Sequence, residues 1–217
     1  MLELTLRRQL IQTALAMNGQ GLNHGSSGNL SLRHGEHILI TPSGLAYEDC
    51  RPQDIVRLDL DGRVTGGGRP SSEWPFHCEI YRSRPEAGAV LHAHSPWCTT
   101  LACLEREIPP FHYMIAAAGG STIRCAEYAL FGSRELSENV LRALSDRCAC
   151  LMAHHGMVCF SSTPQAALEL AVEVENLARL YVQALQIEEP ALLTEAQMAE
   201  VKKRFAAYRG SSGISSS

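Results

Sequence analysis

The hydrophobic and polar positions change period several times along the first forty residues. Over residues 3–19, apolar side chains recur three and four apart before Gly19, which predicts an amphipathic opening helix. Residues 30–32 and 38–40 instead alternate between apolar and polar. This period of two, between short polar segments, predicts a β-hairpin.

The rest of the chain alternates between the two patterns. Ser or Thr before an apolar helical period, or Pro at its first position, is typical of a helix start. Such starts predict helices over residues 71–84, 96–104, 133–144 and 164–186, and a last helix from residue 194. Short apolar runs bounded by turn residues predict strands over residues 55–60, 89–91, 113–115, 150–152 and 157–160. Residues 66–70 are interpreted as a flexible loop.

This order of elements predicts an α/β fold. The strands are short, which favours a mixed, largely antiparallel central sheet covered by helices. We find neither an internal repeat nor a linker between two halves, and 217 residues suit one domain. We therefore expect a single catalytic domain over residues 1–209 and a flexible Gly/Ser tail over residues 210–217.

Composition narrows the class of protein. A net charge of −4 and the lack of a Lys/Arg run give no support for nucleic-acid binding. No apolar stretch reaches transmembrane length, and the N-terminus is charged where a signal peptide would be apolar, so we expect no membrane partner and a cytoplasmic location. The eight cysteines are scattered through apolar segments without a Cys-x-x-Cys pair, which indicates buried thiols in a reducing compartment.

The candidate chemistry begins at His92-Ala93-His94, which directly follows an apolar run. Alternate side chains of a strand point to the same face, so the two imidazoles can reach one ion. A third candidate ligand lies in His154-His155, of which only one side chain can normally face a given point. Glu73 is a candidate carboxylate, although a first-turn helix carboxylate is favourable without any function. By itself the His-x-His pattern is weak, because histidines often pack or cap instead.

Three segments of small polar residues could hold an anion. They are residues 25–29, residues 41–44 and Ser71-Ser72, and small side chains let backbone N–H groups approach a phosphate. The same residue types dominate ordinary turns and caps, so the pattern alone leaves both interpretations open. Neither a Walker lysine nor a dinucleotide fingerprint occurs, which favours a sugar phosphate over a nucleotide. The sequence also lacks a His-Glu-x-x-His zincin motif and a Gly-x-Ser-x-Gly hydrolase elbow.

Taken in order, these motifs resemble the class II aldolase/adducin family, and the resemblance covers nearly the whole chain to about residue 208. The matching stretches are Gly-Ser-Ser-Gly-Asn (25–29), Thr-Pro-Ser-Gly (41–44), Pro-Ser-Ser-Glu-Trp (70–74), His-Ala-His (92–94), His-Tyr-Met-Ile-Ala-Ala-Ala-Gly-Gly (112–120), Phe-Gly-Ser-Arg-Glu-Leu-Ser (131–137) and His-His-Gly (154–156). Each motif is modest alone, but the ordered set is specific.

The resemblance implies a metal-dependent aldolase with one Zn²⁺ per subunit. It implies metal ligands at His92, His94 and His155, with Glu73 on or near the metal and acting as the catalytic base. It also implies a phosphate pocket, formed by Gly28, Asn29, Ser43, Gly44, Ser71 and Ser72.

The resemblance further implies a homotetramer with active sites between subunits. Tyr113 would reach across as the proton donor to the aldehyde oxygen, Phe131 would reach across to the substrate pocket, and Tyr208 would close over the substrate. The implied reaction is reversible cleavage of L-fuculose 1-phosphate, or a related ketose 1-phosphate, to dihydroxyacetone phosphate and an aldehyde such as L-lactaldehyde. A small sugar phosphate is thus the expected partner.

Three alternatives stay open within this resemblance. An aldolase for 5-deoxyribulose or 5-methylthioribulose 1-phosphate would share every catalytic residue and differ only in its aldehyde pocket. The segment from His94 to Trp97 leans towards the pentulose-phosphate 4-epimerases, but Glu73 stands where that pattern carries Asp. An adducin-like assembly module would have lost the metal ligands, and all of them are present here.

Overall fold

The computed structural model describes the backbone of residues 1–211 and the side chains of residues 1–205 and 207. The helices are α1 (Leu2–Gly19), α2 (Trp74–Ser83), α3 (Pro96–Cys103), α4 (Arg134–Ala143), α5 (Pro164–Leu185) and α6 (Glu195–Ser211), with short 3-10 helices at Pro52–Asp54 and Tyr113–Ala118. The strands are β1 (Asn29–His34), β2 (His37–Ile40), β3 (Val56–Asp59), β4 (Val64–Gly66), β5 (Ala89–Ala93), β6 (Cys125–Ala126), β7 (Ala149–Met152) and β8 (Gly156–Ser161).

The eight strands form one mixed sheet in the order β4-β3-β2-β1-β5-β8-β7-β6. Every neighbouring pair is antiparallel except β6 and β7, which run parallel. The predicted α/β class with a largely antiparallel sheet is therefore confirmed. Strand β5 lies at the centre, between β1 and β8, and is buried along its whole length.

Helices cover the sheet on both faces, and the alternation of side chains along β5 divides the core in two. Leu91 packs into the layer formed with α1, α3 and α5, whereas Val90 packs into the layer formed with α2 and α4. A strand buried on both faces is apolar at successive positions, which explains the continuous run before the histidines. His92 is two residues beyond Val90 and lies on the α2 side.

Most of the predicted helix starts are confirmed in detail. Ser133 and Thr163 accept hydrogen bonds from the backbone N–H groups three residues on, at 3.1 Å each. Thr194 and Gln197 bond reciprocally at the start of α6, as a capping box does. Five of the eight cysteines, Cys50, Cys78, Cys98, Cys150 and Cys159, are buried thiols, as predicted.

Three local predictions are wrong. Residues 113–115 form part of a 3-10 helix rather than a strand, because His112 Nδ1 accepts the N–H of Met114 at 3.2 Å and caps the turn. A short apolar run cannot by itself separate the two structures. Residues 66–70 are not wholly loop, since β4 pairs with β3 up to Gly66. Helix α2 begins at Trp74, with Glu73 rather than a serine at the N-cap position.

Helix α6 extends to Ser211, two residues into the predicted tail. The rest of that tail, residues 212–217, and the side chain of Tyr208 lie outside the described residues. Among the helices that are described, none combines the length and the apolar character needed to cross a membrane.

Candidate metal centre and phosphate pocket

Four side chains converge beside the centre of the sheet: Glu73, His92, His94 and His155. Each offers one ligand atom, and all four atoms lie within 4.8 Å of one another. Glu73 Oε2 is 3.0 Å from His92 Nε2, and Glu73 Oε1 is 3.1 Å from His155 Nε2. The Nε2 atoms of His92 and His94 are 2.9 Å apart. The structure thus brings together the four residues that the sequence singled out for a metal.

Local structure accounts for each of the three histidines. His92 and His94 stand two apart at the end of β5, so both face the α2 side of the sheet. His155 lies in the turn between β7 and β8, which returns beside β5 because β5 pairs antiparallel with β8. The preceding residue, His154, has a φ of +56°, and its exposed ring lies 3.0 Å from Glu105 instead of joining the cluster.

Hydrogen bonds with a backbone carbonyl group and with an asparagine side chain hold His92 and His94 in position. His92 Nδ1 lies 2.8 Å from the carbonyl oxygen of Met157. A carbonyl only accepts, so Nδ1 carries a proton and Nε2 is the ring nitrogen that faces the cluster. Asn23 Oδ1 accepts the backbone N–H of His94 at 2.8 Å, and Asn23 is 2% exposed. These hydrogen bonds fix the end of β5 and its two histidines without the help of a ligand.

Electrostatics favour the states that a cation needs at Glu73, which is kept ionised, and at His94, which is kept neutral. Burial raises the pKa of Glu73, but the neighbouring His92 and His155 outweigh burial and hold that pKa well below its usual range. Burial, and after it the charges of His92 and His155, lower the pKa of His94 to about 4. Burial also lowers the pKa of His92, but the Glu73 carboxylate more than offsets it and the net shift is upward. An ionised carboxylate beside imidazoles is a set of ligands that a cation can bind.

The residues present fit a divalent transition metal. Within the described chain, Glu73 Oε1 is buried and forms no hydrogen bond, although His155 Nε2 is close. A buried carboxylate oxygen without a donor is costly unless a cation compensates it. Three imidazole nitrogens and one carboxylate oxygen are the donor types that suit zinc and its neighbours in the first transition series.

A cavity of about 400 Å³ opens directly beside the cluster, with Glu73, His94 and His155 in its wall. All six candidate phosphate residues line the same cavity: Gly28, Asn29, Ser43, Gly44, Ser71 and Ser72. Its lining, as far as the structure describes it, holds neither Lys nor Arg. An anion there would be held by hydroxyl, amide and backbone N–H donors at the start of α2, where the helix dipole favours negative charge.

The three aromatic candidates are placed differently. Phe131 lines the cavity of its own chain. Its expected reach into a neighbouring subunit's site stays a prediction. The neighbouring Gly132 has a φ of +73° and lies so close to Ser72 that an added Cβ would come within 2.9 Å of the Ser72 carbonyl oxygen. Tyr113 is 51% exposed and is not part of the cavity wall in its own chain. The side chain of Tyr208 lies outside the described residues.

Sequence reasoning missed several residues around the site. Tyr128 and His154 line the cavity, and their rings meet edge to face with centroids 5.8 Å apart. Asn23 was missed because a lone Asn after a helix is typical of ordinary turns. His77 was missed because a lone histidine on a helix face is more often structural, yet its Nε2 lies 2.6 Å from Asn29 Oδ1 in the phosphate segment. A histidine four residues after Glu73, on the buried face of α2, was the available signal.

Comparison with known proteins agrees with this geometry. Residues 8–182 match the family described as Class II Aldolase and Adducin N-terminal domain. The chain belongs to the class II aldolase and adducin family, and it is an enzyme of the lyase class. The family resemblance, the fold and the class of enzyme predicted from the sequence are therefore confirmed.

Two curated relatives and one solved structure are similar over almost their whole length. A 5-methylthioribulose-1-phosphate/5-deoxyribulose-1-phosphate aldolase of Rhodospirillum rubrum is 51% identical, covering 94% of this chain and 93% of that protein. The L-fuculose phosphate aldolase of Escherichia coli (strain K12) is 48% identical, covering 94% and 95%. A solved L-fuculose 1-phosphate aldolase superposes with a TM-score of 0.90 at 36% identity, covering 93% and 96%.

Proposed function

We propose that this protein is a zinc-dependent aldolase that reversibly cleaves L-fuculose 1-phosphate, or a related ketose 1-phosphate, to dihydroxyacetone phosphate and a short aldehyde such as L-lactaldehyde. One observation carries the proposal: the Glu73–His92–His94–His155 cluster lies in and beside the wall of a cavity whose other residues suit a phosphate. The cavity volume, about 400 Å³, accommodates a small sugar phosphate.

In this proposal His92, His94 and His155 hold the ion, with Glu73 on or beside it. A bound Zn²⁺ supplies Lewis acidity towards the carbonyl oxygen of the substrate. The phosphate group lies against Gly28, Asn29, Ser43, Gly44, Ser71 and Ser72. Anchoring the phosphate there places the carbonyl end of dihydroxyacetone phosphate towards Glu73, because the cluster and the phosphate residues occupy one cavity.

Glu73 is proposed as the base. In the direction of condensation its carboxylate removes the proton from the carbon next to the carbonyl, and in cleavage it returns that proton to the same carbon. Its two neighbours, His92 and His155, keep the carboxylate ionised, which is the form that accepts a proton. The burial of Glu73 keeps bulk water away from the reacting carbon.

Tyr113 is proposed to act across a subunit interface in a homotetramer. Its hydroxyl gives a proton to the aldehyde oxygen as the carbon–carbon bond forms, and takes it back in cleavage. Exposure of Tyr113 outside its own cavity supports this placement, since a partner subunit's surface can receive the ring. Phe131 contributes to the aldehyde end of the pocket in its own chain, and Tyr208 is retained as a residue that closes over the substrate.

A complementation experiment tests the shared site. Glu73→Gln and Tyr113→Phe variants, each expected to be inactive alone, are co-expressed. If Tyr113 serves its partner's site, mixed tetramers contain intact sites and regain up to roughly a quarter of wild-type activity. If Tyr113 serves its own chain, no mixed site is intact and activity stays at the level of the single variants.

A second substrate class is favoured by one specific comparison. The relative from Rhodospirillum rubrum, at 51% identity, is a 5-methylthioribulose-1-phosphate/5-deoxyribulose-1-phosphate aldolase. Such substrates share the dihydroxyacetone phosphate half with L-fuculose 1-phosphate and differ only at the aldehyde end. In this chain Tyr128 and Phe131 stand among the cavity residues outside the metal cluster and the phosphate segments, so they are the side chains expected to discriminate between aldehydes.

The deciding assay measures release of dihydroxyacetone phosphate from L-fuculose 1-phosphate, 5-deoxyribulose 1-phosphate and 5-methylthioribulose 1-phosphate, with and without a chelator. Chelator-sensitive release supports the proposal, and the highest kcat/KM identifies the substrate. Epimerisation of L-ribulose 5-phosphate with no cleavage of the other three would overturn it. Metal analysis of protein purified without added zinc tests the identity of the ion.

The setting of the enzyme is also proposed. The buried thiols are typical of a reducing compartment and support a cytoplasmic location. We further propose that residues 1–209 act as one catalytic domain, with the Gly/Ser segment of residues 210–217 dispensable for catalysis. Neither nucleic acid nor a membrane is part of the proposed function.

A further inference from the structure

A row of four buried polar side chains leads from Glu73 into the protein interior, beginning at Asn29 in the cavity wall. Asn29, Ser31, His77 and Tyr81 are 3%, 0%, 0% and 1% exposed. Asn29 Nδ2 donates to Glu73 Oε2 at 3.0 Å, and Asn29 Oδ1 lies 2.6 Å from His77 Nε2. Ser31 Oγ lies 2.7 Å from His77 Nδ1 and 2.9 Å from Tyr81 OH. Four hydrogen bonds therefore link Tyr81 to the carboxylate of Glu73.

The chemistry of each group fixes the direction of every bond. The ionised Glu73 carboxylate only accepts, so Asn29 must present its amide nitrogen to it and its carbonyl oxygen to His77. His77 Nε2 must then carry the ring proton, which leaves Nδ1 to accept from the Ser31 hydroxyl. With its proton so used, Ser31 Oγ accepts from Tyr81 OH. No other assignment satisfies every member of the row.

His77 has the properties that this row requires. Burial and, after it, the nearby charge of His92 lower the pKa of His77 to about 3, so the ring is neutral at neutral pH and has a single N–H to donate. Its ring also stacks on Phe76, with centroids 4.7 Å apart, which fixes the plane of the imidazole. Neither His77, Ser31 nor Tyr81 lines the cavity, so these residues reach a substrate only through Asn29.

We propose that His77, backed by Ser31 and Tyr81, is a positioning residue that fixes the orientation of the Asn29 amide and thereby holds Glu73 for proton transfer. The inference rests on the proposed function. Without a donor at His77 Nε2, the Asn29 oxygen is left unpaired and only the bond to Glu73 still orients the amide, which can then rotate away from the carboxylate. Because Asn29 also lines the phosphate pocket, the same rotation removes a donor from the bound phosphate.

Two substitutions at one position separate positioning from stability. In His77→Gln the amide nitrogen falls near the place of Nε2 and still donates to Asn29, whereas in His77→Asn the shorter amide falls near Nδ1 and leaves Asn29 without a donor. Both variants lose the ring, so their melting temperatures should fall alike. We expect kcat for ketose 1-phosphate cleavage at saturating zinc to be about 10–100-fold lower in His77→Asn than in His77→Gln, the usual effect of losing such a supporting bond.

A second pair of variants, with smaller changes, tests the proposal if both His77 variants misfold. Ser31→Ala removes the donor to His77 Nδ1. Ser137→Ala removes a buried serine hydroxyl in α4 that, among the described residues, bonds to the backbone oxygen of Ser133 at the N-cap of the same helix. We expect kcat to fall about 2–10-fold in Ser31→Ala, the range of one net hydrogen bond, and to stay unchanged in Ser137→Ala. Equal kcat values in His77→Gln and His77→Asn, or in Ser31→Ala and Ser137→Ala, would overturn the proposal.

A readout independent of activity distinguishes this inference from the proposed function. Nitrogen-15 NMR of the imidazole ring should show His77 as the Nε2–H tautomer in the wild-type protein at neutral pH. The Nδ1–H tautomer would overturn the inference even in an active aldolase. Conversely, a wild-type protein that cleaves none of the ketose phosphates would overturn the proposed function, whatever the tautomer.

Discussion

Replacing Gly28 by alanine tests how the phosphate segment is joined to the metal strand. Gly28 has a φ of +72°, in the left-handed region, and its chain lies against Asn23 and His92. A Cβ built there would approach both Asn23 Oδ1 and the backbone oxygen of His92 to 2.7 Å. The side chain of Asn23 must therefore move, and the backbone at residue 28 must also shift away from His92.

Two effects set the size of the loss. An alanine in the left-handed region costs about 1–2 kcal/mol. Displacing Asn23 breaks its hydrogen bond to the backbone N–H of His94 and leaves a part-buried donor unpaired, which costs about 1–3 kcal/mol more. We therefore expect Gly28→Ala to lower the free energy of unfolding by about 2–5 kcal/mol. It should also weaken metal binding, because His94 loses its support.

Gly25→Ala is the matched control. Gly25 lies in the same segment with a φ of +62°, but an added Cβ would have no heavy atom within 4 Å. Only the conformational cost of about 1–2 kcal/mol then applies. Urea unfolding followed by circular dichroism, at one protein concentration and with zinc in excess, measures both variants. If the two variants unfold within about 0.5 kcal/mol of each other, the joint role of Gly28 and Asn23 is refuted.

Three further predictions follow from the site. Glu73→Gln at saturating zinc should lower kcat by about 10²–10⁴-fold while KM changes little, because the amide cannot act as the base. Near-normal turnover of this variant in steady-state assays would exclude Glu73 as the base. Chelation should abolish cleavage and lower the melting temperature in scanning calorimetry, and added zinc should restore both, because an ion that binds only the folded state stabilises it. An unchanged melting temperature would argue against metal binding by the folded cluster. The pKa of His77, lowered to about 3 by burial, predicts that acid destabilises the protein. Below about pH 6.5, residue 77 binds a proton in the unfolded chain but not in the folded chain. His77 alone therefore lowers the free energy of unfolding by up to about 1.4 kcal/mol for each pH unit that the pH falls. The urea midpoint of His77→Gln should accordingly decline less than that of the wild type between pH 7 and pH 5.

The candidate site could be predicted from the sequence only in part. The six phosphate residues and the four members of the metal cluster are all found around one cavity. The family resemblance carried that selection, since spacing alone could not exclude turns and caps. Tyr113 could be singled out but not placed, because its site is expected on a partner subunit. Asn23 and His77 contact site residues without lining the cavity themselves. They belong to no motif and were not found.

By itself, the sequence determined what depends on neighbours along the chain. The capped helix starts at Ser133, Thr163 and Thr194 follow from a hydroxyl placed three residues before the N–H that it accepts. The shared face of His92 and His94 follows from the period of a strand. These features need no knowledge of distant residues, because the interactions that produce them span four positions or fewer.

Only the tertiary structure decided how the distant segments meet. The pairing of Asn29 with His92 across β1 and β5 brings the phosphate segment beside the metal cluster, and a shift by one residue would turn His92 to the other face. The left-handed backbone at His154 selects His155 rather than His154 for the cluster. Pairing register and burial are properties of the packed sheet, set by contacts between residues 57 to 72 positions apart, and no local period along the chain encodes them.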